Sequence, residues 1–283
     1  MGIARHGDGG SEALRALASQ VHPVFMLPPL AAAAFGSVLA GRFEPGVAAL
    51  YLAAVFFGVY TAHVKDGYVD FYVRDEDDDH PLSRRGCRLA LAGATAGFFA
   101  CVVGLLAVVG PGAALVTVPG WVVSYLHAPQ LDVHPLGATA GYPLGIALAL
   151  VGGYYTQVRS LSPVVLGFAV VFLVILSGVK VIDDAKDYAY DRSISKRTVA
   201  VVLGPARAHD AAYGLMAAGL LAVVGLSALG LFPPSSFLAV LAFAAVAAVA
   251  YRAEAALATK LLVRGSYVFL ALLVAAVWFR PLA

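Results

Sequence analysis

The stretch Asp183-Asp184-Ala185-Lys186-Asp187-Tyr188-Ala189-Tyr190-Asp191 follows an apolar run over residues 162–182 in which Lys180 is the one charge. A run of that length suits a membrane-spanning helix, which needs about 20 apolar residues. The same arrangement occurs upstream. An apolar run over residues 46–65 ends on Lys65-Asp66-Gly67-Tyr68-Val69-Asp70-Phe71-Tyr72-Val73-Arg74-Asp75-Glu76-Asp77-Asp78-Asp79. The two stretches hold 11 of the 17 acidic residues, so the acid is concentrated at the ends of two apolar segments. Charge is costly near a bilayer, and its concentration there marks a functional site. Clustered hard oxygen ligands point to Mg²⁺, and Mg²⁺ usually brings a phosphate with it.

Composition gives the same class. Of the 283 residues, 61% are hydrophobic and 13% charged, with a mean hydropathy of +0.84. A soluble domain carries about 25% charged residues. The expected fold is all-α: a polytopic membrane helical bundle forming one domain over 1–283, with a short N-terminal tail over 1–13. Nine spans are expected, over 14–40, 46–65, 87–109, 112–127, 137–158, 162–182, 208–231, 235–252 and 262–281. The fourth, interrupted by Pro119-Gly120, is the weakest. No run of period-2 alternation supports a membrane barrel. No basic stripe stands clear of the acidic clusters, which argues against a nucleic-acid partner. Cys87 and Cys101 show neither a disulfide framework nor a metal spacing. Met1 to Ser11 lacks the pattern of a signal peptide.

Loop charge orients the spans. With a cytoplasmic N-terminus, 16 of the 19 lysines and arginines fall on the inner side, leaving only Arg42, Arg159 and Arg280 outside. That distribution obeys the positive-inside rule. It places both acidic stretches on the cytoplasmic face of a multi-pass cell-membrane protein, where they can meet.

Asp66 and Asp70 are spaced i, i+4, and Asp183, Asp187 and Asp191 are spaced i, i+4, i+8. If the helices continue through these stretches, each set lies on one face. Stacked like charges repel, whereas bound cations reverse the sign. Two such faces opposite each other can clamp a diphosphate through its metals. Glu76 to Asp79 read equally well as a solvated acidic loop. Lys65 and Arg74 interleave with the first stretch, and Lys180, Lys186, Arg192, Lys196 and Arg197 surround the second. Lysine and arginine suit phosphate oxygens.

At these residues the chain resembles the UbiA superfamily of intramembrane polyprenyltransferases. The first motif of that family, Asn-x-x-x-Asp-x-x-x-Asp, meets Asp66 and Asp70 here. Its third position holds Arg74, with Asp75 one residue late, and the Arg-Pro-Leu that often follows is His80-Pro81-Leu82. The second motif, Asp-x-x-x-Asp, matches Asp187 and Asp191, and Arg197-Thr198 fits the Lys-Thr pair that follows it. Tyr125-Leu126-His127-Ala128-Pro129-Gln130-Leu131 is similar to a segment of the quinone and chlorophyll branches, with Asp132 where a basic residue commonly follows.

The resemblance implies Mg²⁺-dependent transfer of a polyprenyl group from its diphosphate to a lipophilic acceptor within the membrane. The Tyr125 segment tilts the acceptor toward an aromatic or quinone type. Asp66, Asp70, Asp187 and Asp191 would be catalytic. Asp66, Asp70, Asp75, Asp183, Asp187 and Asp191 would hold metal, and Lys65, Arg74, His80, Lys196 and Arg197 would bind diphosphate. His22, Tyr125 and His127 would bind the acceptor, and His63, one turn before Asp66, can face the same cavity. A glycerol-phosphate lipid or a carotenoid is the alternative acceptor. A cation transporter or a non-catalytic relative is the alternative class. Asp183-Asp184-x-x-Asp187 also spells a motif of soluble isoprenyl diphosphate synthases, a fold that the hydropathy excludes. The CDP-alcohol phosphotransferase pattern is broken at His63 and at Val69-Asp70.

Overall fold

Proline begins most of the long helices. α2 (Pro23–Leu39), α3 (Pro45–Tyr72), α5 (Pro111–Leu126), α6 (Pro135–Val158), α7 (Pro163–Lys186) and α10 (Pro205–Ala228) each open on it. The first turn of a helix has no use for the missing N–H, and the ring presets φ for the helix. α4 (Arg84–Val108) starts instead on Ser83, whose hydroxyl accepts from the Gly86 amide at 2.9 Å. The remaining helices are α1 (Gly10–Ala18), α8 (Tyr188–Ser193), α9 (Val199–Leu203), α11 (Phe237–Ala250) and α12 (Ala255–Phe279). The computed structural model describes residues 2–194 and 196–280, so Pro281 of the ninth expected span and Met1 of the tail lie outside the described residues. All named elements among the described residues are helical.

The expected nine spans are met only in part. Six helices (α3, α4, α6, α7, α10 and α12) are long and apolar enough to cross a membrane. A seventh is added if α1 and α2, bent by 65° at their junction, count as one span. α5 has 16 residues, and the apolar helical stretch Pro234–Ala250 is also short, so by length neither counts among the six. The protein is therefore a multi-pass membrane protein with shorter helices completing its bundle.

The helices close into a ring. α2 packs on α3, α3 on α4, and the sequence continues through α5, α6, α7, α10 and α11 to α12, which returns to α2. Small residues set the spacing inside it. A Cβ at Gly36 would lie 2.0 Å from the Leu150 carbonyl oxygen, and one at Gly153 would lie 2.1 Å from that of Ala33. α2 and α6 therefore touch backbone to backbone, the close approach that small residues permit in membranes. The core beside this contact is aromatic: Phe168 stacks on Phe232 at 3.7 Å and meets Phe35 edge-on at 5.2 Å. Cys87 and Cys101 are buried free thiols.

The expected N-terminal tail is structured. The Arg5 amide donates to Pro81 O at 2.8 Å, the Ser83 amide to Ile3 O at 2.9 Å, and the Ser83 hydroxyl to Gly2 O at 2.7 Å. These bonds strap the first residues across the connection that follows the first acidic stretch.

Candidate active site

A cavity of about 920 Å³ opens among α2, α3, α5, α6, α7 and α12. Two helix faces bring the acid to it. On α3, His63, Asp66, Gly67 and Asp70 line the wall; on α7, Leu176, Val179, Lys180, Asp183 and Lys186 do. Both sets follow the three-and-four spacing of one helical face. The two acidic stretches therefore meet across one space, as their spacing predicts for Asp66, Asp70 and Asp183.

The second stretch departs from one continuous face. α7 stops at Lys186, Asp187 leaves helical geometry (φ −99°, ψ 14°), and α8 restarts at Tyr188. Asp187 is turned to the exterior and does not line the cavity. Asp191 is buried at 3% exposure behind the wall, 3.7 Å from Lys196 Nζ. Burial raises its carboxyl above the usual range, with Lys196 opposing.

Lysines hold the inward carboxylate. Lys186 Nζ lies 2.7 Å from Asp183 Oδ1, and Lys180 Nζ lies 3.3 Å from Asp183 Oδ2 and 2.5 Å from Asp184 Oδ1. The sequence reads Lys180 and Lys186 as cations suited to phosphate oxygens, not as partners of Asp183 and Asp184. The spacing of three from Asp183 to each lysine, and of four from Lys180 to Asp184, is the signal the sequence offers.

The first stretch is rearranged beyond Asp70. Asp75 is exposed in a left-handed conformation (φ 56°) and does not line the cavity, whereas Asp77 and Asp79 do. Arg74 is engaged by Asp132 at 2.7 Å and by Asp70 at 3.4 Å. Burial pulls its guanidinium down, but these carboxylates outweigh that and hold it above its ordinary value. Lys65 donates to the Tyr125 carbonyl and to Gln130 Oε1 (2.9 Å), with its ammonium 4.2 Å from the centre of the Tyr125 ring. Arg74 and Lys65 thus bind the chain after α5 rather than lining the cavity, and Arg197 is exposed away from it. Tyr125 stacks on Trp121 at 5.1 Å and also lies off the wall.

His80 does reach the cavity. Its Nδ1 lies 3.0 Å from Leu82 O and 3.2 Å from Leu82 N, so that nitrogen belongs to the loop backbone. Its Nε2 is buried without a partner, and a Cβ at Gly67 would come within 2.7 Å of it. Glycine at 67 leaves room for the imidazole against α3, one residue along from Asp66. His22, His63 and His127 all line the cavity; His22 stacks on His63 at 5.1 Å, and His63 Nε2 is buried without a partner.

Among the described residues, no three carboxylate, imidazole or thiol side chains converge closely enough to form a ready-made metal cage. The donors fit Mg²⁺ in another way. It takes one or two carboxylates and completes its octahedron with water and phosphate oxygens. The Asp66–Asp70 pair on α3 and Asp183 on α7 offer that donor set.

No protein-family model and no curated protein matches this chain. Solved structures do match it. The apo structure of a UbiA homologue from Aeropyrum pernix K1 has a TM-score of 0.71 at 19% identity, over 89% of this chain and 98% of that one. A structure of digeranylgeranylglyceryl phosphate synthase has a TM-score of 0.73 at 12% identity, over 94% of this chain and 99% of that one. A UbiA homologue from Archaeoglobus fulgidus bound to GPP and Mg²⁺ has a TM-score of 0.67 at 16% identity, again over 94% and 99%. At these identities the likeness is one of fold. The chain has the UbiA fold over nearly its whole length.

Proposed function

We propose that this chain is a prenyltransferase of the UbiA superfamily. It moves a polyprenyl group from a polyprenyl diphosphate to a lipophilic acceptor of aromatic or quinone type, with Mg²⁺ as cofactor. The observation that carries the proposal is the meeting of Asp66 and Asp70 on α3 with Asp183 on α7 across one cavity. The fold shared with a homologue bound to GPP and Mg²⁺ supports it. The proposal includes nine helices traversing the bilayer and an active site on the cytoplasmic side of the cell membrane.

Asp66, Asp70 and Asp183 would hold Mg²⁺, with Asp187 and Asp191 behind them. When bound, Mg²⁺ supplies Lewis-acid neutralisation of charge on the leaving diphosphate. Lys180 and Lys186 sit on Asp183 and can share their ammonium groups with phosphate oxygens. His80 Nε2 offers a further polar contact beside Asp66. The bond between C1 of the prenyl chain and the diphosphate oxygen breaks, and its electron pair leaves with the diphosphate. The acceptor supplies the pair for the new bond to C1 and releases a proton. His63 Nε2, in the cavity wall without a partner, takes that proton. Val55, Val59, Trp121 and Ile146 line the remainder and keep water from the allylic cation.

The test is diphosphate release by purified protein in nanodiscs with geranylgeranyl diphosphate, Mg²⁺ and a panel of extracted lipids and quinone precursors. Turnover that needs the metal and is lost in both Asp70→Ala and Asp183→Ala is expected. Folded protein with no turnover at any prenyl length would instead favour transport or a non-catalytic role. A glycerol-phosphate lipid is the second acceptor reading, favoured by the fold likeness to digeranylgeranylglyceryl phosphate synthase.

A further inference from the structure

We propose that Lys260 and Arg264 on α12 form a second anion site in the cavity, which holds the negatively charged headgroup, carboxylate or phosphate, of the prenyl acceptor. The inference rests on the prenyltransferase reading and narrows its acceptor to an anionic lipid or aromatic acid.

α12 presents Lys260, Val263, Arg264 and Tyr267 to the cavity, again the spacing of one helical face. The two cations are neighbours at i, i+4. Lys180 and Lys186, the other cationic side chains on the wall, are both paired with aspartates. Among the described residues, neither Lys260 nor Arg264 makes a hydrogen bond or an ion pair through its side chain. Two adjacent like charges facing a membrane cavity are unfavourable alone, and an anion between them reverses the sign. Thr259 is a second, separate sign of a missing ligand. It is 8% exposed, its hydroxyl has no hydrogen-bond partner, and it belongs to the same stretch of wall.

The position suits an acceptor. The Tyr267 phenol donates to the Val24 carbonyl, and the Tyr142 phenol donates to Phe25 O at 2.9 Å. The Tyr267 bond fixes α12, and the Tyr142 bond fixes α6, against the first turn of α2, next to His22 and the His63 ring stacked on it. An anion held there puts the body of its molecule beside the proton-accepting imidazole. The diphosphate already has its own cations on α7. Positive residues at a cytoplasmic helix end need no ligand, but Arg252, just before α12, does not line the cavity.

The experiment measures binding to protein in phosphatidylcholine nanodiscs. The probes are para-hydroxybenzoate and its methyl ester, and geranylgeranylglycerol phosphate and the same lipid without its phosphate. Geranylgeranyl diphosphate with Mg²⁺ is measured in parallel. One of the anionic probes is expected to bind about tenfold more tightly than its neutral counterpart, the effect of a charge-assisted contact. Which pair shows the preference distinguishes carboxylate from phosphate. Lys260→Gln with Arg264→Gln should erase it and leave geranylgeranyl diphosphate binding unchanged. Lys260→Arg with Arg264→Lys should retain it, and Arg252→Gln should have no effect. Absence of preference in the wild-type protein, or of binding by any acceptor probe, overturns the site whether or not the glutamine variant folds. Equal weakening of diphosphate binding in the glutamine variant also overturns it. Failure of the wild type to bind geranylgeranyl diphosphate in the presence of Mg²⁺ sinks the prenyltransferase reading, and the site falls with it.

Discussion

Arg74 and Asp132 form an ion pair of 2.7 Å with side chains only 15% and 9% exposed. Each stands where the resemblance to UbiA proteins predicts the opposite charge: an acid at the third position of the first motif, and a base after the Tyr125 segment. The two departures compensate each other. The pair ties the end of α3 to the chain after α5, so the Asp66–Asp70 face is braced from outside the cavity.

Removing one partner leaves a buried charge unpaired, which destabilises by roughly 3 kcal/mol. Arg74→Ala and Asp132→Ala are each expected to lower stability by about that amount in detergent unfolding. The reversed pair, Arg74→Asp with Asp132→Arg, should recover at least half of it. Single variants as stable as the wild type would mean the pair contributes nothing.

Of the second-stretch aspartates, Asp183 faces the cavity and Asp187 faces outward. Asp183→Ala should therefore cut turnover by about a hundredfold or more, a loss of roughly 2.7 kcal/mol of transition-state stabilisation. Asp187→Ala should cost no more than Asp183→Ala. Steady-state diphosphate release measures both, and the reverse ranking would show that α8 turns inward when substrate binds.

The α2–α6 contact leaves no room for a side chain at Gly36, where a Cβ would sit 2.0 Å from a backbone oxygen. Backbone cannot yield as a flexible side chain can, so Gly36→Ala should destabilise by about 1–3 kcal/mol. Gly93, with nothing within 4 Å of its Cβ position, is the control. Gly93→Ala should match or exceed the wild type in thermal unfolding, since alanine is the better helix former.

The N-terminal strap is closed on Asp79, which meets Arg5 at 2.6 Å and His6 at 2.8 Å. The His6 hydrogen bond holds the Asp79 carboxyl below the usual range; slight desolvation opposes it, and the His80 amide and the Arg5 charge reinforce it. A carboxyl lowered in the folded state adds stability above its unfolded value of about 4, and that stability is lost as pH falls through the lower folded value. Exchange protection of the Arg5 and Ser83 amides should hold down to about pH 4 and decline below it. Asp79→Asn should weaken protection at neutral pH. Protection indifferent to both pH and the substitution would remove Asp79 from the latch.

Local physics made much of this protein legible without coordinates. The long apolar runs and the low charge set out a helical membrane bundle, because each helix satisfies its own backbone hydrogen bonds in lipid. The i, i+4 spacing placed Asp66 and Asp70 on one face, because 3.6 residues make a turn. The number of spans is less legible: α5 and α11 are as apolar as their neighbours but have only 16 and 14 residues, a difference set by where the chain turns.

Other features depend on what packs against what. The break after Lys186 turned Asp187 away from Asp183 despite their helical spacing. Arg74 and Lys65 looked like free phosphate ligands, but the chain after α5 supplies partners for both. Lys260 and Arg264 looked like ordinary positive-inside residues, and only the closing of α12 onto α2 turned them toward the cavity. Periodicity and hydropathy are carried by neighbours in sequence, so they can be read along the chain. The pairing of charges depends on segments far apart in sequence, and tertiary packing alone decides which of them meet.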